Sequence, residues 1–277
     1  MTTTNQDKLI QCMTMLCGPS HMQRRFTEEG YKKFISTVEE KAGYNSTTKS
    51  FEESNESTDY DVVARFPVRT FFIQAKNLLS LFDENWLNDE VINFMGAILQ
   101  TQNENAMVFS SYFFTGLLTN EKYDYNQVKN RWLKVSPAVK HLYIPINVDN
   151  NHWIFLRLDF VSKRIQLWNS MDESTTTPNQ TYLSAAEKYV KDVFLQISNM
   201  PNMEVQNKMW GGEWTFVDES VNSPKQTNGY DCGPFIILSM TIMIQGSNLT
   251  ASSYSQEDLY KIKIRNLILK LIYQIKV

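Results

Sequence analysis

Apolar residues recur at helical spacing between residues 88 and 100. Val91, Ile92, Met95, Ile98 and Leu99 follow Asn88, a residue suited to capping a helix start. This pattern predicts a helix over 88–100. Residues 142–148 read instead as a strand. Pro145 pushes that strand towards a sheet edge or a bulge, because proline cannot donate to a ladder. Residues 153–159 and 164–168 predict two further strands joined by a short loop around Val161, Ser162 and Lys163. An amphipathic helix is expected over 183–197 and a short strand over 214–217. Residues 235–244 are almost wholly apolar and predict a buried helix. Residues 256–276 predict a terminal helix, charged on one side and rich in Leu and Ile on the other. Helical and strand patterns interleave irregularly and without repeats. The expected class is therefore α+β, with a central mixed β-sheet flanked by helices.

The first part of the chain follows a different pattern. A short helix is expected over 27–41, and residues 45–59, rich in Ser, Thr, Asn and Glu, read as a solvated linker. The expected organisation is an N-terminal extension over 1–60 and a main domain over 61–277. A hydrophobic content of 42% and an aromatic content of 13% supply material for a core in such a domain. The net charge of -3, without a long basic run, argues against a nucleic-acid partner. No apolar run approaches the roughly 20 residues of a membrane helix, and residues 1–7 lack the basic and apolar regions of a signal peptide. An intracellular protein of the nucleus or cytoplasm is expected. Three cysteines do not suggest a disulfide framework in that setting. Cys12, Cys17 and His21 have ligand-like spacing but no fourth ligand nearby, so neither a metal nor another cofactor is expected.

The most informative segment is Gln226-Thr227-Asn228-Gly229-Tyr230-Asp231-Cys232-Gly233-Pro234. A turn-forming Asn-Gly pair precedes Cys232, and a proline suited to a first helical turn follows it. Cys232 is thus expected at a helix N-terminus, where the dipole and free N–H groups favour the reactive thiolate. Small neighbours such as Gly233 would let a substrate carbonyl approach. The same cysteine also reads as a buried thiol packing as a small hydrophobe. Gln226, six residues upstream, has an amide that could join the Cys232 N–H around an oxyanion, or it is a plain loop residue.

Three histidines are available to act as base: His21, His141 and His152. His152 opens a predicted strand directly after the turn Asp149-Asn150-Asn151, and such a position holds a ring firmly while facing a cleft. Side chains alternate along a strand, so His152 shares a face with Ile154, Leu156 and Leu158, and Asn169 shares one with Leu167 and Ile165. An in-register hairpin would bring Asn169 to His152. Asn169 would then accept the Nδ1–H and fix the tautomer.

These residues together resemble the ubiquitin-like-protein-specific (SUMO) protease family of cysteine peptidases, over roughly residues 68–270. The resemblance runs in order through Trp86-Leu87-Asn88-Asp89-Glu90-Val91-Ile92-Asn93-Phe94, Ser110-Ser111-Tyr112-Phe113-Phe114, Val128-Lys129-Asn130-Arg131-Trp132, Tyr143-Ile144-Pro145-Ile146-Asn147, His152-Trp153 and the Gln226–Gly233 loop. It implies a papain-like fold in which the main domain is catalytic. It also implies Cys232 as nucleophile, His152 as general base and Gln226 in the oxyanion hole. Trp86 and Trp153 would wall a narrow tunnel for an extended Gly-Gly tail, with Asp89 and Gly233 beside it. The implied partner is a ubiquitin-like protein, SUMO before ubiquitin or NEDD8, cut by a monomer. One position departs from the family: Asn169 stands where an aspartate is usual, with Asp172 three residues on as the alternative orienter. Other readings are a deubiquitinase or deneddylase on the same scaffold, a cysteine-dependent acyltransferase, and a binding module without catalysis.

Overall fold

The computed structural model describes residues 4–14, 26–45, 50–51, 62–66, 71–119, 122–171 and 176–275. The centre is a five-stranded mixed sheet of β1 (Ala106–Val108), β2 (His141–Val148), β3 (His152–Asp159), β4 (Arg164–Trp168) and β5 (Thr215–Asp218). Its order is β5-β4-β3-β2-β1. The two inner pairs, β2–β3 and β3–β4, are antiparallel, whereas β1 and β5 pair in parallel with their neighbours.

Alternation along these strands divides the core in two. Ile144, Ile146, Ile154, Leu156, Leu158, Ile165 and Leu167 point into one apolar cluster. It is covered by α4 (Tyr112–Leu117) and by α5 (Thr176–Ser198). Tyr143, Trp153, Phe155 and Trp168 point into the other, against α3 (Asp89–Leu99) and α7 (Cys232–Ile244). Every residue of α7 is buried, which explains a helix apolar on all sides. Between α5 and β5 lies α6 (Glu204–Trp210).

Asn88 caps α3 by accepting from the Val91 N–H at 3.0 Å, in the position its sequence context predicts. Pro145 lies within β2, an interior strand rather than an edge. The Tyr143 carbonyl accepts from the Phe109 N–H just past the end of β1. Alternation puts the missing N–H of Pro145 on the same side, beyond the reach of β1, so the strand is an edge at that residue alone. The terminal helix predicted over 256–276 is two helices, α8 (Gln256–Ile262) and α9 (Ile264–Gln274). They break at Lys263, whose φ of 51° is left-handed, with neither glycine nor proline to announce it.

Near the N-terminus, α1 (Asn5–Thr14) and α2 (Glu28–Ala42) precede the sheet. The Thr27 side chain caps α2, which matches the helix expected there. Leu9, Met13, Tyr31, Phe34 and Val38 belong to the same apolar cluster as α7. The boundary expected near residue 60, and Cys17, His21 and Asp172, lie outside the described residues.

Candidate active site

Cys232 is the first residue of α7 and is 1% exposed. The start of α7 packs against β3, and the backbone N–H groups of Trp153, Gly233 and Cys232 itself turn towards the sulfur. Burial raises the thiol pKa above its ordinary value. Those three N–H groups pull it down, and the Asp231 carboxylate adds to the rise. At rest the thiol is held protonated, and the N–H groups stand ready for a thiolate.

His152 opens β3 and bonds through Nε2 to the Asn169 Oδ1 at 2.8 Å. The hairpin expected from the sequence is in register, but the bond uses the nitrogen opposite to the one expected. Trp168 pairs with Phe155, so Asn169 falls opposite Ile154, two residues inward from His152. The ring spans that diagonal with its distal nitrogen. Nδ1 is left buried without a hydrogen-bond partner. Burial lowers the His152 pKa below its ordinary value, and the Asn169 bond partly restores it. The Met171 N–H also donates to Asn169 Oδ1, at 2.9 Å.

Gln226 is fixed at both ends of its amide. The Ser170 hydroxyl donates to its Oε1 at 2.6 Å, and its Nε2 donates to the Asn228 carbonyl at 2.7 Å. Nε2 carries a second proton that this carbonyl does not use. Trp86 is 51% exposed and donates its Nε1–H to the Gly229 carbonyl at 2.7 Å, which ties the loop before α3 to the loop before Cys232. Trp153 is buried and donates to the Leu87 carbonyl at 2.7 Å. Trp86, His152, Asn169 and Gly229 line a common cavity of about 350 Å³. A side chain at Gly233 would meet Leu87 Cβ at 2.7 Å, so the glycine is required for α7 to pack under that loop. Asp89, in the first turn of α3, accepts from the Ser111 hydroxyl at 2.6 Å.

The fold adds a support that the sequence did not disclose. Asp231, 2% exposed, accepts from Arg265 at 2.8 Å, from Gln256 at 2.7 Å and from Asn228 at 2.7 Å. Arg265 also donates to the carbonyls of Ser80, Asn85 and Tyr230. One guanidinium therefore holds the loop before Cys232 and the Trp86 loop together. Asp231 stands beside Cys232 in sequence, but nothing in the local pattern links it to residues 256 and 265. Among the described residues no cluster of potential metal ligands is present, and no helix is long and apolar enough to cross a membrane.

A family model described as the Ulp1 protease family, C-terminal catalytic domain, matches residues 85–270. Ubiquitin-like-specific protease 1 of Saccharomyces cerevisiae is 25% identical over 170 residues, 60% of this chain and 24% of that protein. Sentrin-specific protease 3 of Homo sapiens is 26% identical over 202 residues, 72% of this chain and 32% of that protein. The chain thus spans about a quarter to a third of the length of these curated relatives. The solved C-terminal Ulp1 protease domain in complex with Smt3, the yeast ortholog of SUMO, has a TM-score of 0.64 at 20% identity. That alignment covers 90% of this chain and 96% of the other. This likeness establishes a shared α+β fold.

Proposed function

The chain belongs to the Ulp1 protease family, and on that premise we propose that it is a cysteine protease cutting after the C-terminal Gly-Gly of SUMO or a related ubiquitin-like protein. The observation that carries this reading is a half-buried imidazole, tied at Nε2 to Asn169 and unbonded at Nδ1, on a strand whose next residue, Trp153, turns its backbone N–H towards the sulfur of a cysteine at a helix start. Relatives named for ubiquitin-like and sentrin substrates support the substrate class.

In the proposed cycle, His152 Nδ1 takes the Cys232 thiol proton, and the thiolate attacks the carbonyl of the last glycine. The free Nε2 proton of Gln226 and the Cys232 N–H hold the oxyanion. The intermediate collapses to a thioester as protonated His152 gives its proton to the leaving amine. His152 then deprotonates a water, which hydrolyses the thioester and restores the thiol. Trp86 and Trp153 wall the path of the tail, Gly233 keeps the helix start free of side chain, and Asp89 lies towards the tail's approach. The reaction requires no cofactor. The enzyme acts as a monomer inside the cell, without nucleic acid or membrane.

The test is covalent labelling with SUMO, ubiquitin and NEDD8 probes that carry a cysteine-reactive C-terminus, followed by mass spectrometric mapping. A SUMO adduct on Cys232, absent in Cys232→Ala, is expected. An adduct with ubiquitin or NEDD8 alone would overturn the substrate. Binding of SUMO without an adduct would overturn the protease reading in favour of a binding module.

A further inference from the structure

Resting on the role proposed for His152, we propose that Asn179 and Asp218 are positioning residues of the active site. They form a one-way hydrogen-bond relay that sets the tautomer of the histidine in place of a direct carboxylate. An asparagine beside an imidazole has an ambiguity that an aspartate lacks. Turned one way it accepts from the ring, and turned the other way it donates. Only the first orientation places a proton on Nε2 and leaves the lone pair of a base on Nδ1.

The relay removes that ambiguity one bond at a time. Asp218 lies at the end of β5, and its carboxylate oxygens act here as acceptors. Its Oδ2 accepts from Asn179 Nδ2 at 3.0 Å. Its Oδ1 takes the hydroxyl proton of Ser220, which leaves the Ser220 oxygen to accept from the same Asn179 Nδ2 at 3.2 Å. Both amide protons of Asn179 are thereby directed away from the site, and its Oδ1 must face Asn169. Asn169 Nδ2 donates to that oxygen at 3.3 Å, so Asn169 Oδ1 must face His152 Nε2. The Met171 N–H reinforces this orientation from the other side. Asn179 is 4% exposed and Asn169 is 3% exposed, so water offers little competition for the bond between them, whereas Asp218 at the far end is exposed. Each bond in such a chain polarises the next, and a share of the carboxylate's pull reaches the ring through two amides.

The test uses the intact chain with Asn179→Ala and, as a milder change that keeps size and polarity, Asp218→Asn. Nitrogen NMR of His152 reads the tautomer directly, and the rate at which iodoacetamide alkylates Cys232 reads its activation. Neither measurement requires a substrate, so they remain decisive even if no ubiquitin-like probe reacts. The wild type is expected as the neutral Nε2–H form. Each variant is expected to become a mixture of tautomers, with alkylation slowed about tenfold. Where cleavage is measurable, kcat falls and KM holds. In an Asn169→Asp background the carboxylate needs no orienting, and the Asn179 oxygen that faces it repels it, so Asn179→Ala should then cost nothing. A pure Nε2–H tautomer with alkylation within twofold of wild type in both variants would overturn the relay. So would an Asn179→Ala loss of equal size in the two backgrounds, which would mark a structural role.

Discussion

Asn169 is the residue at which this chain departs from its family resemblance, and its consequence is electrostatic. Burial holds His152 below its ordinary pKa and Cys232 above its own, so the resting pair is neutral. A neutral amide can hold the ring in place but cannot lend it a full charge. Asn169→Asp is therefore expected to raise the His152 pKa and to speed alkylation of Cys232 near neutral pH. NMR titration checks the first and kinetics the second. Unchanged values in both would show that the site is insensitive to charge at 169. Asp231 supports the loop from below. Its side chain is 3% exposed and paired with Arg265, itself 14% exposed. Arg265→Met strands a buried carboxylate and should cost about 3 kcal/mol in urea unfolding. Adding Asp231→Asn should recover much of that loss, since the stranded charge is then gone.

Elements were legible wherever an apolar stretch is bounded by clear turn or cap signals. The hairpin of β3 and β4 followed from two strand-like stretches joined by a short loop, and α3 from its cap and spacing. The short β1 was not predicted, because three buried residues carry no period. The break at Lys263 was also missed, because a left-handed lysine leaves no compositional trace. Yet the break matters to the site: Arg265 stands two residues beyond it and reaches Asp231 at 2.8 Å. The helix α1 makes a separate claim on the core. Met13 is fully buried, while the Cys12 thiol donates to Gln245 and the Cys12 carbonyl accepts from the Gln245 amide at 2.8 Å. Met13→Ala should cost about 3 kcal/mol. If α1 unfolds with the catalytic domain, the loss will appear in amide exchange of α7. A loss confined to α1 would show that the two fold separately.

For the whole molecule, two half-buried histidines set a dependence on pH. His141 is held below its ordinary value by burial first and then by Arg157, and His152 by burial. Unfolding exposes both, and each then binds a proton near pH 6.5, about its ordinary value. Between that value and the lower folded ones, the unfolded chain holds more protons. Stability is therefore complete above about pH 6.5 and falls as the pH drops through the folded values. Urea midpoints should decline from pH 7.5 to 5.5, and His141→Gln should flatten part of the decline. A midpoint constant across that range would contradict this assignment.

By itself the sequence determined the class of fold, the strand carrying His152, the helix beginning at Cys232 and the family to which both belong. These are local properties, written in periodicity, caps and ordered motifs. Tertiary structure alone decided which nitrogen of His152 meets Asn169, which amide protons turn away from it, and what holds the loop before Cys232. Those outcomes depend on register and on partners tens of residues apart, such as Asn179 with Asp218 and Asp231 with Arg265. A hydrogen bond has a direction that only the paired groups together can fix, and no pattern along one strand or helix records it.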